Sequence, residues 1–563
     1  MMLAPIHDRS PQQQGFALIT VLVSTAALML LAIAAIAYGI GSESTSRHDQ
    51  DWNAALAAAE AGVDDYLFRL SENDQYWRYS AASLPADGNL AFAGWATVPG
   101  GSSVAQYHYT PNTSTIGTDG RLRLTSTGRV NGVTRTINVS LRHRSFLDYL
   151  YFTDYETVDP ALYTGSPYTA AQAQTYCAKY YYGGLGAQRD VNGRTDFSGD
   201  SDSNGAYCTD IQFISADTLN GPVHSNDAIL LCGTPRFLGD VSTSWTGANG
   251  KLYRDGCPTS RPSFANPADP KHLASLTMPP TNSALKAETN SGTGGCLYTG
   301  PTRIRLNSNG TMTVNSPFTK STINSSCPTN GQSGPLPSNG VVYVQNVPST
   351  SSDPNYTNGC PYTVNSRAHP LGMPIANDIT TYGCRNGDAF VEGTLKGQLT
   401  IGAENNVVIT WHLQYLGGTG GSDLLGLIAN NFVEVYHPVN CTSGTSSSCN
   451  LNANFPNETA RNATFNNANI YAANLSVNHS IRVQNWGAGA NLGTLHLRGI
   501  LAQRYRGPVG TNSGGAVATG FAKDYVYDQR LKYLSPPKFL DPVASQWEQS
   551  TWAEVQRPAG LPN

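Results

Sequence analysis

Charged side chains are scarce in this chain. They make up 13% of its 563 residues, against about 25% in an average soluble protein. The formal net charge of -4 provides no basic surface of the kind that nucleic-acid binding requires, so no nucleic-acid partner is expected. Small polar residues take the place of charge, and 56 residues are glycine. This composition suits an extracellular β-rich protein better than a cytosolic enzyme.

The usual signatures of enzymes and of structural zinc sites are also missing. The sequence contains no Cys-x-x-Cys pair, no His-Glu-x-x-His, no Gly-x-Ser-x-Gly and no P-loop. Residues 283–286 match Ser-x-x-Lys, but the two motifs that accompany it in that enzyme class are absent. The prediction is therefore that the chain is not an enzyme. A membrane-tethered β-helix enzyme acting on polysaccharide is the alternative, because fold does not fix function.

Cysteine is absent from both ends of the chain. Ten cysteines lie between residues 177 and 449, and an even number in a loop-rich region predicts disulfides in an oxidising compartment. About 945 pairings are possible for ten cysteines. We expect consecutive pairing, because short loops cost least entropy to close; buried free thiols are the alternative. The pairs would be Cys177–Cys208, Cys232–Cys257, Cys296–Cys327, Cys360–Cys384 and Cys441–Cys449.

Charge is absent altogether from Phe16 to Ile40. As a helix, this run would span roughly 37 Å at the standard rise per residue, enough to cross a hydrocarbon layer of about 30 Å. A cleaved secretory signal would have a shorter apolar core followed by a small-residue cleavage site. A plain signal anchor fits the length but leaves the preceding residues unexplained.

The preceding residues carry a resemblance. Gly15-Phe16-Ala17-Leu18-Ile19 resembles the processing site of type IV prepilins, and residues 52–62, Trp-Asn-Ala-Ala-Leu-Ala-Ala-Ala-Glu-Ala-Gly, resemble the stem of minor pilins related to PilX. The likeness covers about the first 70 residues. It implies a leader over residues 1–15, cleavage after Gly15 by a prepilin peptidase, and methylation of the new N-terminal Phe16. It also implies a cytoplasmic N-terminus, an extracellular body and other pilins as partners.

Two features depart from the major pilins of that family. Thr20 stands at the fifth mature position, where major pilins carry a Glu that meets the N-terminal amine of a neighbouring subunit in the filament core. A buried charge of that kind is tolerated only when it is paired. In the leader, Arg9 is the only strongly basic side chain and Asp8 offsets it, so the positive-inside signal is weak.

The periodicity of the apolar residues divides the rest of the chain into a helical segment and segments of β-strands. Residues 16–70 predict a transmembrane and stem helix ending near Leu70, with a break near Gly39 as the alternative. Residues 71–145 predict a small antiparallel sheet, because alternating strands flank Asn131-Gly132, the dipeptide that most favours a tight hairpin.

Residues 146–545 predict a large, disulfide-bearing, mainly β body, and residues 546–563 a C-terminal tail. Short strands with Asn or Gly at their corners favour a β-helix-like body over an irregular sandwich, so the predicted fold class is α+β. Several phrases of this body and of the C-terminal region resemble large PilX-like proteins: residues 221–227, 424–429, 505–510, 525–528 and 533–539.

One segment has the spacing of a calcium loop. Asp200, Asp202 and Asn204 alternate as in the first half of an EF-hand, with Asp210 as a further candidate ligand. The position that should supply the bidentate Glu is Ile211, so the second half of the motif is missing. A solvated turn explains the same residues. No cofactor other than calcium is suggested by the sequence.

These observations lead to one functional hypothesis. The chain is predicted to be a minor pilin-like subunit, at the tip or at the start of assembly, of a type IV pilus or a related secretion filament. Its extracellular body would contact a surface glycan or a protein partner, since Tyr and Trp among glycine-rich loops suit such contacts. A static surface protein that never enters a filament is a further alternative.

Overall fold

The computed structural model of the chain describes residues 12–73, 75–86, 88–101, 103–114, 121–165, 168–178, 181, 188–189, 194–195, 208–247, 250–258, 260–359, 383–437, 439–441, 449–451, 465–513, 516–543 and 547–562. They form two compact units: unit 1 comprises residues 1–143 and 546–563, and unit 2 comprises residues 144–545.

Unit 1 begins with a single helix, α1, from Gln12 to Glu72. At 1.5 Å per residue its 61 residues extend for about 90 Å. The helix continues through Gly39 and Gly41, so the predicted transmembrane and stem helix is one element and the alternative break does not occur. From Ala17 onward it is long and apolar enough to cross a membrane, and no other helix among the described residues meets that criterion.

The second half of α1 packs on a five-stranded antiparallel sheet. The strand order is β1-β2-β3-β4-β33, and the strands are β1 Ala96–Thr97, β2 Gln106–Asn112, β3 Arg121–Val130, β4 Val133–His143 and β33 Trp547–Val555. Val63, Tyr66 and Leu70 of the helix are buried against the inner face of this sheet. The predicted hairpin is present: Asn131 and Gly132 have φ of 49° and 87°, as the turn between β3 and β4 requires.

The last strand differs from the prediction. Residues 546–563 were expected to form a C-terminal tail, but Trp547–Val555 pairs along β4, with Trp552 opposite Val139. An edge strand can recruit a partner from any distance along the chain, because ladder hydrogen bonds use backbone groups. Unit 2 is therefore inserted in sequence between two neighbouring strands of the unit 1 sheet.

Unit 2 contains many short strands. In chain order they are β5 Tyr151–Val158, β6 Gln188–Arg189, β7 Arg194–Thr195, β8 Thr218–Asn220, β9 Val223–Ser225, β10 Leu230–Leu231, β11 Arg236–Phe237, β12 Val241–Thr243, β13 Arg254–Asp255, β14 Ser263–Phe264, β15 Lys271–His272, β16 Cys296–Thr299, β17 Thr302–Asn307, β18 Thr311–Asn315, β19 Gln332–Pro335, β20 Val341–Gln345, β21 Ala389–Leu395, β22 Gln398–Ala403, β23 Val407–Tyr415, β24 Leu424–Ala429, β25 Val433–Val435, β26 Val439–Cys441, β27 Cys449–Leu451, β28 Asn469–Ser476, β29 Ile481–Val483, β30 Asn491–Arg506, β31 Gly510–Ser513 and β32 Ala516–Tyr527. Two short helices, α2 Ala170–Tyr176 and α3 Ser283–Ala287, accompany them.

Most of these strands are arranged in stacks whose neighbours run parallel. The first stack has the order β16-β20-β22-β24-β28-β30-β5-β9-β12-β15. A second contains β17-β21-β23-β25-β29, and a third contains β30-β32-β8-β11-β14. Parallel pairing between successive turns is what the predicted β-helix-like body requires. Among the described residues of unit 2, antiparallel pairing occurs in hairpins such as β17–β18 and in isolated bridges such as Thr157 with Asp210.

The order of the first stack differs from the order of the sequence. The chain enters at β5, in the middle, and runs to one end at β15. It then restarts at the opposite end with β16 and returns strand by strand to β30, which pairs with β5 through Leu501 and Tyr151. We call this pairing the junction, because it joins the first strand of unit 2 to one of the last.

Candidate functional site

The apolar segment of α1 is the first candidate surface. Its large apolar side chains between Leu18 and Ile40 are between 59% and 81% exposed, which is unfavourable in water and suits a lipid or a neighbouring helix. Thr20 lies on this segment, and its hydroxyl donates a 3.0 Å hydrogen bond to the Ala17 carbonyl. Gly15 and Phe16 lie in the helical backbone, but their side chains are outside the described residues, as is the leader before Gln12.

Three disulfides join the cysteines that consecutive pairing predicts. They are Cys177–Cys208, Cys232–Cys257 and Cys296–Cys327. Cys384 is disulfide-bonded as well, while its expected partner Cys360 lies outside the described residues. The backbone register of β26 and β27 sets Cys441 opposite Cys449, and their side chains are not described. Among the described residues there is no free cysteine.

Of the four predicted calcium ligands, only Asp210 lies within the described residues. Asp200, Asp202 and Asn204 lie outside the described residues. The Asp210 carboxylate is buried and accepts a 2.5 Å bond from the Arg254 guanidinium. Within the described ranges, no group of three or more His, Cys, Asp or Glu side chains is placed to hold a metal ion. Calcium binding therefore stays a prediction.

A cavity of about 410 Å³ lies at the junction in unit 2. Strand β5 contributes Tyr151 to its lining, β30 contributes Gln503 and Arg506, and β32 contributes Lys523. Four further aromatic residues are among those that line it: Phe213, Trp486, Phe521 and Tyr525. A concave apolar site with a few convergent polar groups is the usual form of a small-ligand site.

Two ion pairs border this cavity. Arg506 Nη1 donates to Glu156 Oε2 at 2.9 Å and to the Ile211 carbonyl at 2.6 Å. Burial opposes the charged form of Arg506, but Tyr151 and Glu156 raise its pKa overall, so the guanidinium stays protonated. Lys523 Nζ donates to both carboxylate oxygens of Asp217, at 2.9 and 3.1 Å.

The sequence predictions missed this cavity. Residues 505–510 resemble PilX-like proteins, and residues 146–545 predict the body as a whole, but neither observation predicts a cavity. The contact between Glu156 and Arg506 crosses 350 residues. No local pattern predicts such a pairing, because the strands that form it come from opposite ends of unit 2. A Tyr-rich strand and a basic residue on another strand were the available signals.

Comparison with known proteins places the N-terminal segment in a family. Residues 14–64 match the family model described as PilX N-terminal. A comparison with curated proteins gives no match. Among solved structures, the competence-associated pilin ComZ from Thermus thermophilus aligns with 14% identity, over 90% of this chain and 97% of that one, with a TM-score of 0.23. The match shows that residues 14–64, which lie on one long apolar helix, are similar to the N-terminal segment of PilX-related type IV pilins.

Proposed function

We propose that the chain is a minor pilin-like subunit that takes part in filament assembly at the tip and presents unit 2 for contact with a surface or a partner. The observation that carries this proposal is the PilX N-terminal match on a continuous helix with an exposed apolar segment. Such a segment is stable in a bilayer and can pass into a bundle of similar helices, because both surroundings are apolar.

Thr20 supports a tip position over a position in the filament body. Its hydroxyl is neutral and bonds to the helix backbone, so it offers no carboxylate to the amine of a neighbouring subunit. After cleavage at Gly15, the Phe16 amine would still accept a neighbour's Glu. A subunit that can be paired from one side only fits at an end of a filament.

The parallel strand stacks of unit 2 support a β-helix-like body that serves contact. In the part of the chain that the structure describes, the cavity's charged side chains are engaged in ion pairs, Arg506 with Glu156 and Lys523 with Asp217. A general base needs an available lone pair and a suitable pKa. The pairing of these groups favours binding over the alternative of a polysaccharide-cleaving enzyme.

The first test is N-terminal mass analysis of the membrane-extracted protein. The proposal expects a chain that starts at a methylated Phe16, and an intact Met1 would overturn it. A Gly15→Ala variant should block cleavage. Gly39→Ala is the matched control, because a methyl group at Gly39 meets no atom within 4 Å and should leave processing unchanged.

The second test concerns position in the filament. Immunogold labelling of unit 2 should mark one end of each pilus; label spread along the length, or confined to the cell body, would contradict a tip position. A Thr20→Glu variant supplies the missing carboxylate and should move label into the filament body. Thr25→Glu is its control, because Thr25 is likewise bonded to the helix backbone, at 2.8 Å from the Val21 carbonyl, but lies further from the processed amine.

A further inference from the structure

We propose that the junction cavity is a binding site for a neutral sugar unit, such as a hexose at the end of a glycan. The inference deepens the contact role of unit 2 given under the proposed function and rests on it for its biological setting. Its physical basis is independent of filament assembly, because every residue that lines the cavity belongs to unit 2.

The first observation is a change of polarity along the interior of the first stack. One row of aligned residues, on strands β20, β22 and β24, consists of Val344, Ala403 and Ala429. Further along the stack the same row continues with polar residues: Ser476, Gln503, Thr153, Ser225 and Thr243. All of these are at most 1% exposed. Buried polar groups are costly unless they find partners. The Thr153 and Ser225 hydroxyls are paired with each other, whereas Gln503 of the same row lines the cavity.

The second observation is a buried hydroxyl that lacks a well-aligned acceptor. Tyr151 is 4% exposed and lines the cavity, and among the described residues its hydroxyl has no partner at hydrogen-bond geometry, although the Thr153 side chain interacts with it. Thr153, two residues further on the same strand, directs its own hydroxyl to Glu156 and Ser225. A buried hydroxyl without a good acceptor is unfavourable, and a ligand oxygen in the cavity would accept its hydrogen bond.

Two neighbouring side chains also have hydrogen-bond donors to spare. Gln503 accepts from the backbone N–H groups of Ile481 and Gly507 through Oε1, and within the described residues nothing accepts from its Nε2. Arg506 uses Nη1 for Glu156 and the Ile211 carbonyl, which leaves Nε and Nη2 without an acceptor in the same part of the chain. The cavity thus offers several donors to a ligand rich in oxygen acceptors.

Charge balance selects a neutral ligand over an acid. The two cations, Arg506 and Lys523, are matched by two carboxylates, Glu156 and Asp217. An added anion would enter a site whose positive charges are already compensated and would lose its hydration without gaining a full ion pair. Hydroxyl groups carry no such penalty, since they both donate and accept.

The aromatic wall completes the match to a sugar. Trp486 is only partly buried and borders the cavity together with Phe521 and Tyr525, so its ring is available to a ligand. The C–H faces of a pyranose pack on such rings while its hydroxyls reach polar groups. The cavity volume of about 410 Å³ lies within the range of about 300–1,000 Å³ that is usual for small-ligand sites.

The test uses the full chain in detergent and four probes: glucose, galactose, N-acetylglucosamine and the acidic sugar N-acetylneuraminic acid. Saturation-transfer NMR and tryptophan fluorescence would report binding. We expect millimolar or tighter binding of at least one neutral probe. Binding of the acidic sugar alone, or of none of the four, would overturn the proposal.

Two variants locate the binding. Tyr151→Phe removes only this hydroxyl, which has no well-aligned partner, so it should weaken binding of the neutral sugar about three- to tenfold while the melting temperature changes little. Tyr298→Phe is the matched control, because the Tyr298 hydroxyl donates to the Pro328 carbonyl at 2.9 Å and does not line the cavity. It should lower the melting temperature and leave binding unchanged. Unaltered binding in Tyr151→Phe would overturn the assignment to this cavity.

Other outcomes separate this inference from the proposed function. Absence of sugar binding in a chain that is still processed at Gly15 and found at pilus tips would sink the sugar site alone. Sugar binding by a chain that is never processed would sink the filament role alone. Release of reducing sugar from a disaccharide probe, abolished in Tyr151→Phe, would contradict a pure binding site and indicate an enzyme.

Discussion

Ser145 and Asp541 are joined by a hydrogen bond: the Ser145 hydroxyl donates to Asp541 Oδ1 at 2.8 Å, although 396 residues separate them in sequence. These residues lie near the entry and the exit of unit 2. The contact holds the two ends of unit 2 together. The junction between β5 and β30 likewise joins an early strand of the unit to a late one within the first stack. A unit with adjoining ends can be inserted between two strands of another domain without separating those strands.

The C-terminal strand is expected to stabilise unit 1. Trp547 on β33 is 8% exposed, whereas Trp552 on the same strand is 45% exposed. Trp547→Ala removes a ring whose centre lies 4.1 Å from that of the His143 ring. It should lower the free energy of unfolding of unit 1 by about 3 kcal/mol. Trp552→Ala should lower the same free energy of unfolding by less than about 1 kcal/mol. Hydrogen exchange of the β4 amides measures both, and equal exchange rates in the two variants would contradict the burial difference.

Close approach of β3 to α1 should make Gly128 sensitive to any side chain. A methyl group there would lie 2.1 Å from the Ala55 carbonyl oxygen and 2.3 Å from the Ala59 nitrogen. Gly128→Ala therefore forces the strand and the helix apart and should destabilise unit 1 by about 2 kcal/mol or more. In the control Gly94→Ala, the nearest atom is the Leu90 carbonyl oxygen at 3.6 Å. Thermal unfolding should distinguish the two, and a smaller loss for Gly128 than for Gly94 would refute the packing.

Asp388 should make unit 2 less stable at neutral than at acid pH. Burial raises the pKa of Asp388 to about 7, although bonds from the Asn406 backbone and the Asn405 side chain oppose the shift. Because the folded pKa exceeds the unfolded value of 3.8, the folded state holds the proton more tightly. The contribution of Asp388 to the free energy of unfolding is fully present below about pH 3.8 and is lost as the pH rises through 7.

An Asp388→Asn substitution should flatten this pH dependence. It keeps Oδ1, which accepts from Asn405 and Asn406, and it should raise the melting temperature at pH 8 relative to the parent while changing it little at pH 4. Asp423→Asn is the contrasting control. Both oxygens of Asp423 accept backbone N–H groups, from Gly397 and Gly417, so this change should destabilise at both pH values. A parallel shift of the two variants would argue against ionisation of Asp388.

The Cys296–Cys327 disulfide should contribute strongly to unit 2. It closes a loop with a sequence separation of 31 residues, for which the chain-entropy relation gives about 3–4 kcal/mol. The double variant Cys296→Ser with Cys327→Ser should melt at a clearly lower temperature, as measured by calorimetry. Non-reducing peptide mapping provides the check on pairing: a linked peptide that joins any of these six cysteines (177, 208, 232, 257, 296 and 327) to a cysteine other than its partner in 177–208, 232–257 or 296–327 would contradict the structure.

Features that depend on neighbouring residues were accessible from the sequence. The uncharged run from Phe16 to Ile40 and the stem pattern predict the helix α1, because helical hydrogen bonds close within four residues. Asn131-Gly132 predicts its hairpin through the backbone angles that these two residues adopt. Consecutive cysteine pairing follows from the low cost of short loops, and it holds for the three bonds between described cysteines.

Features that depend on distant residues were decided only by the tertiary structure. The strand β33 carries no local signal of its partner, since any exposed edge such as that of β4 can accept it. In the first stack β5 lies beside β30. This order depends on how buried faces pack together when they come from residues 350 positions apart in the sequence. The junction cavity forms where β5 and β30 pair. The sequence supplies Tyr151 and Arg506, but only the tertiary structure brings both side chains to the lining of one cavity.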